Sequence, residues 1–273
     1  MSAVRQPAVA GAFYPGEGRA LAATVASLLA AAHAETPADT ISAPPKVLIV
    51  PHAGYIYSGP MAAQAYAQLA AVRATIRRVV LLGPVHRVAV RGLALPGAST
   101  FATPLGEVNI DQDAVATLAG LRQVVVSPAA HALEHSLEVQ LPFLQTVLDD
   151  FKLLPLAVGD ATPAEVAQVL EALWGGPETL IVISSDLSHY LPYRAAQNID
   201  QDTVERILAL RGPLSHEQAC GGTPINGLLL AARQHHLQPQ LLGLCNSGDT
   251  AGDKQRVVGY AAIAFMEPTH GTH

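Results

Sequence analysis

A chain of 273 residues, half of them hydrophobic and only 14% charged, can bury a large core and is neither a disordered nor a solvating sequence. Its formal charge of −6 offers no basic stripe for phosphates, which argues against a nucleic-acid binder, and no run reaches the ~18 apolar residues of a membrane span. Two cysteines, Cys220 and Cys245, are too few for a disulfide framework and fit a reducing, cytoplasmic setting.

In chain order, RALAATVASLLAAAHA (19–34) imitates a signal-peptide core, but the turn GAFYPGEG precedes it where a basic leader belongs. Leu21, Val25, Leu28 and Leu29 recur at helical spacing, so this segment reads as a packed helix. KVLIV (46–50) is a strand, followed by PHAGYIYSG and a helix over 59–71. RRVVLLG (77–83) is a second strand and runs into a long irregular stretch, 85–108. A helix over 111–121 opens on acidic residues, which suit the positive end of its dipole. VVVS (124–127) and FKLLPLAVG (151–159) are strands. Thr162, Pro163 and Glu165 then form a capping box for a helix that Gly175-Gly176-Pro177 ends. TLIVISS (179–185) is the next strand; NIDQDTVERILALRG and TPINGLLLAARQHH are helices, and VVGYAAIAF (257–265) closes the chain's list of elements. His270 and His273 in the terminal PTHGTH read as solvated.

Strands that are apolar throughout are buried on both faces, and helices between them indicate a mostly parallel sheet. The expectation is an α/β fold, three-layer α/β/α with a mostly parallel central sheet, as one domain over 1–273 without repeat or linker. In such sheets ligands bind beyond the carboxyl ends of the strands. His52, His86 and the pair Asp186/His189 each lie just past such an end, so they are expected to share a site.

Around His52, Gly54 and Gly59 permit tight turns, and Tyr55 and Tyr57 bring phenols. Arg87, next to His86, either pairs with an anion or snorkels. In SSDLSHY the Asp186 carboxylate can orient His189 or accept its proton; the bland reading is a helix cap. Cys220, before an apolar helix, is either an activated thiolate or a buried inert thiol; Cys245 has only its place at the end of LLGLC in its favour. Two imidazoles (His52, His86) and one sulfur (Cys220) suit iron, copper or zinc, not magnesium or calcium, with His189 as an acid/base beside them. HALEH (131–135) matches the H-x-x-E-H of inverted zinc peptidases through His131, Glu134 and His135. That zinc-hydrolase reading needs one helix carrying both histidines, whereas Pro128, Ser136 and Pro142 suggest a helix that starts only after His135.

Taken together, AVAGAFYPG (8–16), PHAGYIYSGP (51–60), LLGPVHR (81–87), TPLGEV (103–108), EHSLEVQLPFLQ (134–145), SSDLSHY (184–190), CGGTP (220–224) and SGDTAGDKQRVVGYAA (247–262) resemble the MEMO family, known in bacteria as AmmeMemoRadiSam system protein B. The resemblance covers nearly the whole chain. It implies a fold similar to class III extradiol (LigB-like) non-haem iron dioxygenases. It also implies metal ligands at His52, His86 and Cys220, with Asp186, His189, Glu134 and His135 as catalytic neighbours; Tyr55 and Asp249 are expected as substrate contacts. The implied cofactor is iron(II), with copper or zinc as alternatives, because a thiolate at Cys220 replaces the carboxylate of the dioxygenases and favours softer ions. The implied function is redox or dioxygenase-like chemistry on a small organic substrate. The alternative is a non-catalytic binding module whose pocket takes a peptide, anion or metal. A homo-oligomer is compatible with either.

Overall fold

The computed structural model describes residues 3–35 and 43–268; the expectations for His270 and His273 lie outside them. The strands are β1 (Val4–Arg5), β2 (Pro45–Val50), β3 (Arg78–Pro84), β4 (Leu93–Leu95), β5 (Thr100–Thr103), β6 (Gly106–Asn109), β7 (Val124–Val126), β8 (Lys152–Val158), β9 (Thr179–Ser184), β10 (His189–Leu191), β11 (Gln238–Asn246) and β12 (Val257–Met266). The helices are α1 (Gly18–Glu35), α2 (Tyr55–Ala67), α3 (Gln112–Thr117), α4 (Pro128–Ala132), α5 (Leu141–Val147), α6 (Pro163–Leu173), α7 (Tyr193–Leu208) and α8 (Gly222–Gln234).

Among the described residues a nine-stranded sheet runs β10-β12-β2-β9-β3-β8-β4-β7, with β11 on β12. The four strands β2, β9, β3 and β8 are parallel neighbours. Antiparallel β12 borders them on one side and antiparallel β4 on the other. The sheet is therefore mostly parallel, with reversed strands toward its margins. Alternate residues of each central strand face opposite cores. Leu48, Val50, Leu81 and Val182 join α1, α2 and α5, whereas Val47, Ile49, Leu82 and Ile183 join α6, α7 and α8. This is the three-layer α/β/α expected, and both-face burial explains why the strands are apolar without alternation. A second sheet, β1-β5-β6, brings the N-terminal segment to the β5–β6 hairpin.

Three local expectations change. The stretch 85–108 is not irregular: it holds β4, β5 and β6, whose three or four residues are too short and mixed to show a pattern. Helix α2 starts four residues earlier than 59, at Tyr55. Its first N–H is satisfied by the Phe13 carbonyl at 2.8 Å, and Tyr55 is 5% exposed in the core. That tertiary anchor outweighs Pro60 inside the helix. Helix α7 likewise begins at Tyr193, five residues before the expected start. The capping box of α6 is present as read, with Thr162 accepting from the Glu165 N–H and Glu165 from the Thr162 N–H. No helix among the described residues is long and apolar enough to cross a membrane.

Candidate metal centre

Strand β9 lies between β2 and β3, and each of the three delivers a polar side chain two residues past its last residue: His52 after Val50, Asp186 after Ser184, His86 after Pro84. Parallel pairing in register therefore sets these residues side by side at one sheet edge. Cys220 comes from the turn before α8. Its N–H donates to the Asp186 carbonyl at 3.2 Å, and the Gly221 N–H donates to Ser185 Oγ at 2.9 Å. A Cβ at Gly221 would sit 2.6 Å from that of Ser185, so only glycine lets the thiol come this close.

The hydrogen bonds fix which ring nitrogens are free. Ser184 Oγ gives its single proton to the Ser136 carbonyl at 2.6 Å and already accepts from Gln140 Nε2 at 2.8 Å. Toward His52 Nδ1, 2.9 Å away, it can only accept. His52 therefore carries its proton on Nδ1, and its Nε2 lone pair faces Cys220 Sγ at 3.3 Å. For His86 the orienting group is Glu134. Burial alone would raise this carboxylate, but hydrogen bonds from the His86 ring and from main-chain N–H groups outweigh it and hold the acid at about 2. An ionised carboxylate only accepts, so His86 Nδ1, 2.8 Å from Oε1, bears the proton and Nε2 is free. Burial, then the fields of His135 and His86, keep the His52 ring well below its usual range and neutral. Burial and the Asp186 carboxylate push the Cys220 thiol up to about 12, so a cation taking the sulfur displaces a proton.

One ligand atom each from His52, His86 and Cys220 lies within 4.8 Å of the other two. Two oriented imidazole lone pairs and a sulfur fit a borderline or soft ion and do not suit magnesium or calcium. The cluster opens into a cavity of about 1030 Å³ lined also by Phe13, Tyr57, His135, Asp186, His189 and Tyr260.

Residues 5–264 match the family model for Memo-like proteins. The chain belongs to the Memo family. It is 35% identical to a MEMO1 family protein of Sulfurisphaera tokodaii over 96% of this chain and 99% of that one. A MEMO1 family protein of Methanococcoides burtonii is 37% identical over 95% and 99%. Among solved structures, the uncharacterized protein JW3007 from Escherichia coli K12 aligns with a TM-score of 0.49 at 17% identity, over 80% of this chain and 98% of that one.

The Memo-family fold brings together most of the residues singled out, but not all. His52, His86, Cys220, Asp186, His189 and His135 meet at the cavity. Glu134, 2% exposed, lies behind the histidines. Asp186 and His189 line the same wall without a mutual hydrogen bond; Asp186 Oδ1 accepts instead from the His52 N–H at 2.7 Å. Tyr55 is a correction: its hydroxyl donates to the Val139 carbonyl at 2.7 Å in the core, and Tyr57 lines the cavity in its place. Asp249 is a second correction. It caps a short 3-10 turn through the Asn246 N–H and takes the Tyr193 hydroxyl, outside the cavity lining. The H-x-x-E-H helix does not form. Helix α4 ends at Ala132, and His131, 1% exposed, donates from Nε2 to the Ala94 carbonyl at 2.7 Å, away from His135. The sequence reading also passed over Asp200 of α7, buried beneath the site, which accepts the Ser188 N–H at 3.0 Å and steadies the SSDLSH loop. Its only sequence signal is an acid on the apolar face of an otherwise polar helix.

Proposed function

We propose that this chain holds one metal ion, iron(II) ahead of copper or zinc, on His52, His86 and Cys220. With it the protein acts as a dioxygenase-like or other metal-dependent oxidoreductase on a small organic substrate. The observation that carries the reading is the convergence of one donor atom each from two oriented imidazoles and one thiol in a substrate-sized cavity. When bound, any of these ions would supply open coordination positions, and iron or copper a path for electrons.

The chain's own residues do the rest. Ser184 and Glu134 keep the two imidazoles in the ligating tautomer and orientation. Asp186 ties the His52 main chain to the end of β9, so the two strand ends stay in register. His189, on the cavity wall and outside the donor set, is placed to move a proton to or from a bound substrate. Phe13 and Tyr260 give the cavity an aromatic flank for the apolar part of a substrate. A thiol that has to stay reduced, and two free cysteines, support a cytoplasmic setting.

The test is metal analysis of protein purified without oxygen, followed by an oxygen-electrode screen of catechols. One ion per chain with substrate-dependent oxygen uptake is expected. Stoichiometric metal without uptake for any substrate assigns the pocket to binding instead, and metal-free protein that refuses iron, copper and zinc overturns the reading.

A further inference from the structure

Some arginines of this chain are paired with acids and others are not. Arg5, Arg73, Arg77, Arg78 and Arg91 each reach a carboxylate. Among the described residues Arg19, Arg122, Arg194, Arg206, Arg211 and Arg233 do not, and neither do the two at the cavity, Arg87 and Arg256. Both are exposed and line the cavity of the candidate metal centre, and among the described residues neither has an ion-pair partner. Arg87 follows directly on His86, whose ring stacks on that of His135 at 4.6 Å. Arg256 packs over the Tyr190 ring at 5.1 Å. Tyr190 is 62% exposed at φ 59°, a left-handed conformation uncommon for an aromatic residue. A strained, exposed tyrosine bearing a guanidinium is a prepared rim more than an idle surface.

The charge balance narrows the occupant. At the exposed rim of the cavity two guanidiniums, Arg87 and Arg256, face one carboxylate, Asp253, while the other lining carboxylate, Asp186, is buried and accepts the His52 N–H. Asp253 is itself engaged, accepting the Gln255 N–H at 2.7 Å. The excess of one positive charge at that rim focuses a small anion of single charge. Phe13, Tyr57 and Tyr260 supply a flat apolar body for its remainder.

We infer that Arg87 and Arg256 are specificity-determining residues that grip the carboxylate of a small organic monoanion and present its apolar part to the cavity. This names the substrate class of the site proposed above. It rests on that reading only for the claim that the bound molecule reacts, because the grip itself uses no metal ligand.

The experiment compares benzoate with its neutral isostere benzamide by calorimetric titration, on the protein as purified and again after metal removal with EDTA. Benzoate should bind about tenfold more tightly than benzamide, since a charge-assisted guanidinium–carboxylate contact commonly contributes that much, and the preference should shrink as sodium chloride is raised. Arg87→Gln and Arg256→Gln should each lower benzoate affinity several-fold, leaving benzamide affinity and metal content unchanged. The double variant should abolish the preference. Equal binding of the two compounds overturns the inference, as does a preference that survives in the double variant. A preference that disappears with the metal places the carboxylate on the ion and also overturns it. Inorganic phosphate that displaces benzoate at equal concentration overturns the monoanion assignment. A protein that never binds metal but discriminates through the arginines sinks the oxidoreductase reading and keeps this one, so the two fail separately.

Discussion

The Glu134 carboxylate holds His86 at two points: Oε2 accepts the main-chain N–H at 2.7 Å and Oε1 the ring Nδ1 at 2.8 Å. Oε1 also accepts the N–H groups of His135 and Ser136, each at 2.9 Å. A carboxylate so occupied orients a ligand and is not one itself, although it lies within 4.8 Å of two imidazoles. Glu134→Gln turns an amide NH₂ toward these donors. Metal affinity, read by competition with a chelator, should fall about 10–100-fold while circular dichroism is retained. Unchanged affinity removes Glu134 from this role.

The three donors should act as a unit. His52→Ala, His86→Ala and Cys220→Ser should each strip most of the metal, measured by elemental analysis at matched protein concentration. His131→Gln should keep it, because that ring points to the Ala94 carbonyl and not to the cavity. Metal loss in His131→Gln with retention in Cys220→Ser would revive the zinc-peptidase pattern.

His189 lines the cavity but is not in the donor set. His189→Gln should retain stoichiometric metal and lose about 10²–10⁴ in substrate-dependent oxygen uptake, the usual contribution of a general acid or base. Loss of the metal in this variant would make the ring a ligand.

His131 gives a pH prediction. Burial, opposed by its hydrogen bond to Ala94, lowers its pKa from 6.5 to about 4. Between these values the unfolded chain binds a proton that the folded chain refuses, so stability is full above pH 6.5 and is lost as pH falls toward 4. The loss amounts to about 3 kcal/mol. Urea midpoints at pH 7 and pH 4.5 should therefore converge in His131→Gln relative to the parent. An identical slope in both proteins assigns the acid sensitivity to other groups.

Helices α6 and α8 approach through Gly227, where a Cβ would fall 2.3 Å from that of the fully buried Val166. Gly227→Ala should cost about 1–3 kcal/mol by overpacking, seen as a lowered melting temperature with metal content unchanged. An unshifted transition would mean that the helices part at no cost.

The central strands were legible because burial on both faces leaves unbroken apolar runs, and with them the strand ends carrying His52, His86 and Asp186. What stayed hidden depends on contacts distant in sequence. Tyr55 and Tyr57 are two apart, about 200° around a helix, so deciding which faces the cavity requires the true start of α2. That start is set by the Phe13 carbonyl. His131 and His135 share a helix face only if the helix continues past Ala132, and it does not. Cys220 owes its place to the main chain of Asp186, a neighbour no local pattern announces. Strands β10 and β11 are only partly buried and lack the apolar signature of their neighbours.

The last strand, β12, is inserted between β2 and β11. Synthesis therefore produces the strand that carries His52 long before the neighbour that completes its pairing, and Cys220 also emerges before that neighbour. A nascent chain presents its two imidazoles and its sulfur in an unfinished sheet, with Tyr260 of the cavity wall still to come. A chain interrupted before residue 257 thus has His52, His86 and Cys220 without the strand that joins β2 to β11.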